Sequence, residues 1–152
     1  MLKKLIIKNF AIIEDCCIDF DDKMTVLTGQ TGSGKSLIID AISILMGKKA
    51  EAVFIRHNCD EAYLSCEFDG YNNDVKQILI DELLLDENSE ILKIERNISK
   101  NNRNNIKVNG KAVNLTVLKK LTYYLCDLHL QHDNLKLFDE DNYLNIIDYQ
   151  QS

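Results

Sequence analysis

Apolar and polar positions alternate along Lys4-Leu5-Ile6-Ile7-Lys8-Asn9-Phe10, and less regularly from Ile12 to Phe20, which predicts two successive β-strands. Asp21-Asp22-Lys23 forms a turn, and the short apolar run Met24-Thr25-Val26-Leu27-Thr28 suits a buried strand. The period then changes, because Leu37 to Met46 is almost wholly apolar and predicts a core helix stopped at Gly47. Ala62 to Phe68 predicts a strand with Leu64, Cys66 and Phe68 on one side. Asp74 to Leu85 predicts an amphipathic helix with Val75, Ile78, Leu79 and Leu83 on its apolar face. Ile91 to Ile98 alternates as a strand, Asn101-Asn102 turns the chain, and Asn104 to Val108 returns. Asn109-Gly110 then calls for a type I′ hairpin turn. Leu115 to Leu125 predicts a helix with Val117, Leu118, Leu121 and Leu125 facing the core, capped by Asn114 or Thr116. Asp127 to Asp133 reads as a polar link, and Asp139 opens a last helix with Glu140 and Asp141 in its first turn.

Between the third apolar run and its helix lies Gly29-Gln30-Thr31-Gly32-Ser33-Gly34-Lys35-Ser36, which fits G-x-x-x-x-G-K-[ST]. A loop that wraps a polyphosphate must turn tightly and aim several backbone N–H groups inward, and the three glycines permit that path without a Cβ clash. Lys35 is placed to reach the β- and γ-phosphates, and the Ser36 hydroxyl to ligate Mg²⁺. A phosphate at the N-terminus of the following helix gains from unpaired N–H groups and from the helix dipole. Strand, loop and helix in this order predict a nucleotide-binding unit.

Composition adds limits. The 152 residues suit one domain, and 45% hydrophobic content allows a sizeable core. No run of 18 apolar residues occurs, and the apolar part of Met1 to Lys8 is too short for a signal peptide, so a cytoplasmic protein without a membrane segment is expected. Five cysteines without a C-x-x-C pair predict reduced, mostly buried thiols rather than a disulfide framework or a zinc site. The net charge of −6 conceals an acidic stretch over 58–92 and a basic one over 93–120, where eight basic residues meet one acidic residue. That basic stretch, with Lys100, Arg103, Lys107 and Lys111, is a candidate face for an anion such as DNA, although most such stretches are simply solvated.

Phosphoryl transfer also needs a carboxylate on Mg²⁺, carried at the end of an apolar strand, and a group that orients water. Ile78-Leu79-Ile80-Asp81 and Tyr123-Tyr124-Leu125-Cys126-Asp127 match that strand loosely, yet both sit in stretches of helical period. Asp40, on the helix after the glycine loop, is read as a surface or supporting group, and His57, His129 and His132 lack metal spacing. Gln131, between two histidines, is a candidate to touch both metal and attacking water.

Several of these segments resemble the RecN family, bacterial DNA-repair ATPases of the SMC-like branch of the ABC ATPases. The resemblance is carried by Asn9-Phe10-Ala11-Ile12-Ile13, by Thr28 to Ser36, by Ile39-Asp40-Ala41, and by Gly47 to Ala50. It continues through Ile55-Arg56-His57, Asn109 to Val113 and His129-Leu130-Gln131-His132, and so runs through the chain in order. Family members usually carry glutamate at the position of Gln30 and glycine at that of Leu130. The resemblance implies an α/β P-loop NTPase fold, the N-terminal half of an ABC/SMC-type ATPase head with an antiparallel β subdomain. Residues 1–138 would form that half-head, and 139–152 the start of a helix leading toward a coiled coil, with the chain looking cut off at Ser152.

By position, the resemblance implies that Gly29, Gln30, Thr31, Gly32, Ser33, Gly34, Lys35, Ser36 and Leu37 bind ATP, with Arg56 near nucleotide or DNA. Ser36 and Gln131 would hold Mg²⁺, Gln131 would act in catalysis, and Asn9 and Phe10 would lie toward the base. The signature motif, the metal-binding carboxylate and the switch histidine would come from a C-terminal half of the same head. Two heads would dimerise through ATP and act on DNA in double-strand break repair and recombination, in the cytoplasm and at the nucleoid. Two other readings compete: a self-contained P-loop kinase with Arg96 and Arg103 as lid cations and Asp127 on the metal, or a non-catalytic nucleotide-binding interaction module.

Overall fold

A computed structural model describes residues 2–20, 32–101 and 104–130, with the backbone alone at 32–36 and 126–130. The first two strands are β1 (Leu2–Phe10) and β2 (Ile13–Asp19), and they are followed by helix α1 (Gly32–Leu45). Next come β3 (Glu61–Phe68), α2 (Asn73–Asp81), β4 (Leu92–Ser99), β5 (Asn105–Val108), β6 (Lys111–Ala112) and α3 (Leu115–Leu130). The strands form one six-stranded sheet in the order β2-β1-β3-β4-β5-β6. All its pairings are antiparallel. The apolar run 24–28 and the last helix from Asp139 lie outside the described residues.

Alternation along the strands sorts the two faces of this sheet. Leu5 and Ile7, then Leu64, Cys66 and Phe68, then Leu92, Ile94 and Ile98 are buried beneath the helices. The intervening positions of β3 and β4 are mostly polar, and there the Tyr63 hydroxyl donates to Glu95 at 2.7 Å. An antiparallel sheet with one face in the core behaves this way. Helix α1 supplies Ile38, Ala41, Ile42 and Leu45 to the core, and α3 supplies Leu118, Leu121 and Leu125. The predicted Asn109-Gly110 turn is present, with φ of +52° and +82° at its two central residues, as a type I′ turn requires. Asn114 caps α3, its Oδ1 accepting from Val117 N at 2.8 Å.

Three expectations are corrected. Helix α2 ends at Asp81 rather than Leu85, and Leu83 is 76% exposed instead of facing the core. Leu83 adopts φ +59°, so that Leu83 N reaches Ile80 O at 3.1 Å and Leu84 N reaches Leu79 O at 2.7 Å. These two bonds make a Schellman ending, which leaves Leu84 buried in Leu83's stead. Helix α3 runs to Leu130, so 127–130 are helical rather than part of a link. Leucine at 130 favours that last turn over the glycine expected from the resemblance, by up to about 1 kcal/mol. The thiols are less buried than expected: Cys66 is buried, Cys16 and Cys59 are half-buried, and Cys17 is exposed.

Arg96 is the polar exception on the core face. It keeps the phase of Leu92, Ile94 and Ile98, is only 3% exposed, and donates through Nη1 to Ile44 O and to Lys48 O, both at 2.6 Å. Ile44 O belongs to the last turn of α1 and Lys48 O lies just past it, where intrahelical donors run out. Burial lowers the guanidinium pKa to about 10, which leaves it charged at neutral pH and suited to the negative end of the helix dipole. A lid cation must reach solvent and ligand, so this placement removes Arg96 from the kinase reading; Arg103 lies outside the described residues. Arg96→Met should keep the volume but leave both carbonyls without this donor, costing about 2–4 kcal/mol in urea unfolding. A loss below about 0.5 kcal/mol would mean that the bonds are replaced by water.

Candidate nucleotide-binding site

Helix α1 begins inside the glycine motif, at Gly32. Its first amides belong to Gly32, Ser33, Gly34 and Lys35, and the first four N–H groups of an α-helix have no intrahelical acceptor. No acidic residue occupies that first turn to compete for them. The glycine loop therefore opens directly into a helix terminus suited to an anion, as the motif requires. Gly29, Gln30 and Thr31 lie outside the described residues, and the side chains of Lys35 and Ser36 are likewise not described. Leu37 is half-buried and packs against the core, so its side chain anchors the helix.

The other end of α1 is fully tied down. Met46 N and Lys48 N both donate to Ser43 O at 3.1 Å, and Gly47 N donates to Ile44 O at 3.1 Å. The buried Thr122 hydroxyl of α3 donates to Met46 O at 2.7 Å, beside the two bonds from Arg96. Gly47 has φ +113°, and a Cβ there would stand 3.0 Å from Lys119 Cγ. Only glycine suits both the backbone and the approach of α3.

Arg56 is held at the tip of the β1–β2 hairpin. Its backbone N donates to Asn9 O at 2.8 Å and its Nη1 to Ile12 O at 3.0 Å. Next to it Phe54 stacks on Phe10 with ring centroids 5.1 Å apart. Phe10 is wholly buried, so its ring serves the core and is not available to a base. Ile12 and Val53 are the exposed apolar residues at this tip, at 71% and 78%.

Gln131 follows the last residue of α3 and lies outside the described residues, as does His132. The segments ending in Asp81 and Asp127 belong to α2 and α3, so neither is the carboxylate-bearing strand that phosphoryl transfer needs. Among the described residues no cluster of three His, Cys, Asp or Glu could hold a metal by itself. The basic stretch is divided by the fold. Lys107 pairs across the sheet with Glu95, Lys111 donates to Leu83 O at 2.7 Å, and Lys119 borders a cleft at the far end of α1.

Sequence reasoning missed Arg96 and Thr122 as the residues that fix α1. For Arg96 a signal existed: an arginine in phase with Leu92, Ile94 and Ile98 is a charge on a buried face. Thr122 gave none, since its partner is 76 residues away.

The family model described as an AAA domain (AAA_23) matches residues 4–152, and the chain belongs to that family of AAA domains. Within it, the sequence resembles RecN along nearly its whole length. It is 39% identical to DNA repair protein RecN of Bacillus subtilis (strain 168) over 148 residues, which is 97% of this chain and 26% of that protein. It is 34% identical to DNA repair protein RecN of Vibrio cholerae, with the same shares covered. The chain thus spans about a quarter of the length of the curated relatives it matches. Among solved structures, the SMC head domain from Thermotoga maritima is 27% identical with a TM-score of 0.51, over 76% of this chain and 39% of that one. A chain solved in work on ATP-driven dimerisation of SMC ATPases has a TM-score of 0.59 at 19% identity, over 96% of this chain and 98% of that one. The fold is that of the SMC-type P-loop head, as the resemblance implied, and the family is one of nucleotide-binding domains.

Asp40, in the middle of α1, has its carboxyl pKa raised, because burial outweighs the attraction of Lys48. A carboxylate with a raised pKa disfavours the folded state once ionised. That deficit is absent below the ordinary aspartate value, grows as pH rises above it, and is complete only above the raised one. Asp40→Asn should therefore raise the melting temperature at pH 7 and lose that advantage by about pH 3. Equal melting temperatures at pH 7 would show that Lys48 offsets the burial.

Proposed function

We propose that this chain is the nucleotide-binding half of a RecN-like ATPase head acting in DNA double-strand break repair and recombination. The observation that carries this reading is the start of α1 within the glycine motif, in a chain of RecN-like sequence and SMC-head fold. Gly29, Gln30, Thr31, Gly32, Ser33, Gly34, Lys35, Ser36 and Leu37 form the ATP cradle, chiefly through backbone N–H groups, and Lys35 brings a positive charge to the terminal phosphates. Ser36 and Gln131 are the chain's own groups for Mg²⁺. Neither group brings a negative charge, so the ion would keep several waters and take its charged ligands from substrate phosphates and from a carboxylate supplied by the rest of the head. When bound, it neutralises charge developing between the β- and γ-phosphates.

Gln131 orients water, and Arg56 lies at the hairpin tip on the nucleotide or DNA side. Residues 1–138 are the half-head and 139–152 lead toward a coiled coil. Turnover depends on groups from the C-terminal half of the same head and on pairing of two heads through ATP. DNA is the partner of the assembled protein, in the cytoplasm at the nucleoid. The division of the lysines between sheet face, hairpin and α3 favours a DNA contact made by the assembly over one made by the 93–120 stretch alone. Kinase activity is disfavoured by the buried Arg96 and by the helical setting of Asp127.

Calorimetric titration with ATP tests the cradle. Lys35→Ala should weaken binding at least about tenfold, or 1.4 kcal/mol, with the melting temperature of the free chain unchanged. An unaltered ATP affinity would refute the assignment.

A further inference from the structure

The end of α1 away from the glycine motif borders a cleft of about 610 Å³, a volume within the range of small-molecule sites. Its lining comes from residues 43–54, around and beyond the end of α1, and from 119–123 of α3. Ser43 lies eleven residues along α1 from Gly32, about 16 Å at 1.5 Å per residue, so the cleft is separate from the phosphate cradle. Met46, Phe54 and Tyr123 give it an apolar and aromatic lining. Tyr123 is 59% exposed, and its ring stands perpendicular to that of Tyr124 with centroids 5.2 Å apart. Lys48, Lys49 and Lys119 bring three positive charges against the negative charge of Glu51, and Lys49 and Lys119 are both exposed. A helix C-terminus ordinarily disfavours an anion. Here the carbonyls of Ile44, Met46 and Lys48 already accept from Arg96 or Thr122, and Arg96 adds a buried positive charge behind them.

These properties select a class of ligand. A bare inorganic anion would pair with the lysines but leave the aromatic lining and most of the volume unused. A neutral aromatic molecule would leave the lysines without a partner. A flat aromatic body carrying a phosphate uses both, through ring stacking and charge-assisted hydrogen bonds. We propose that this cleft binds a nucleoside monophosphate, with its phosphate on Lys49 and Lys119 and its base against Tyr123 and Phe54. Glu51 offers a carboxylate to an exocyclic amino group of the base, which makes AMP the probe. AMP also lacks the β- and γ-phosphates that Lys35 is placed to reach, so the two sites answer differently.

Calorimetric titration of AMP into the full chain, in excess EDTA and at low ionic strength, tests this site. Saturable binding with a Kd below about 1 mM is expected, and Lys35→Ala should change it less than about twofold. The double variant Lys49→Glu/Lys119→Glu should weaken it at least about tenfold, and Tyr123→Ala at least about fivefold. An unchanged affinity in the folded double variant overturns the proposal. So does inorganic phosphate binding as tightly as AMP, because the aromatic lining then contributes nothing. Loss of AMP binding in Lys35→Ala places AMP in the phosphate cradle and overturns it as well. No saturation up to about 1 mM also overturns it. If a single-stranded oligonucleotide then binds and is lost in the double variant, the cleft serves a nucleic-acid strand instead. If the double variant does not fold, Tyr123→Ala decides, since that side chain is exposed and an unchanged affinity there overturns the proposal. None of these outcomes bears on the ATP cradle, which Lys35→Ala tests with ATP.

Discussion

The C-terminus of α1 is the point on which the structure turns. A helix that offers unpaired N–H groups to a phosphate must end in unpaired carbonyls, and here that end is buried against the sheet. Left unsatisfied, those carbonyls would cost as much as lost hydrogen bonds. Arg96 from β4 and Thr122 from α3 supply the missing donors, and Gly47 provides the backbone path that lets α3 approach. One cluster thereby joins the phosphate helix to the middle of the sheet and to the helix that precedes Gln131.

The sheet serves this arrangement by its polarity. Its inner face gives α1 and α3 an apolar bed, and the cost of burying Arg96 there is offset by the two bonds its Nη1 makes to carbonyls at the helix end. Beyond the end of α1 the 3-10 turn Ala52–Phe54 closes onto the β1–β2 hairpin, with Ala11 N donating to Phe54 O at 2.6 Å and Phe10 stacked on Phe54. The segment after the phosphate helix is thus pinned to the first hairpin, and Arg56 is part of that pin. Any contact it makes with nucleotide or DNA is compatible with its structural bonds, because only one of its guanidinium nitrogens is engaged with Ile12 O.

The proposed phosphate cradle and metal oxygens lie on this chain, while the two segments read from the sequence as possible carboxylate-bearing strands are helical. A P-loop without that carboxylate holds nucleotide better than it turns it over.

Much was legible in the sequence by itself. Period-two alternation marked β1, β3 and β4, the Asn109-Gly110 pair marked the hairpin with both φ values positive, and the apolar run from Leu37 marked the body of α1, although the helix starts earlier, at Gly32 inside the glycine motif. These are local rules, in which neighbouring residues decide the conformation through sterics and side-chain period. The ends of helices were less legible, because the stop of α2 at Leu83 and the extension of α3 through Leu130 depend on whether the next side chain finds a buried place. Tertiary structure alone decided which donors satisfy the end of α1. Arg96 lies 52 residues from Ile44, and Thr122 76 residues from Met46. Folding brings such partners together by burying apolar faces, and hydrogen bonding then selects among the polar groups that burial has left without water.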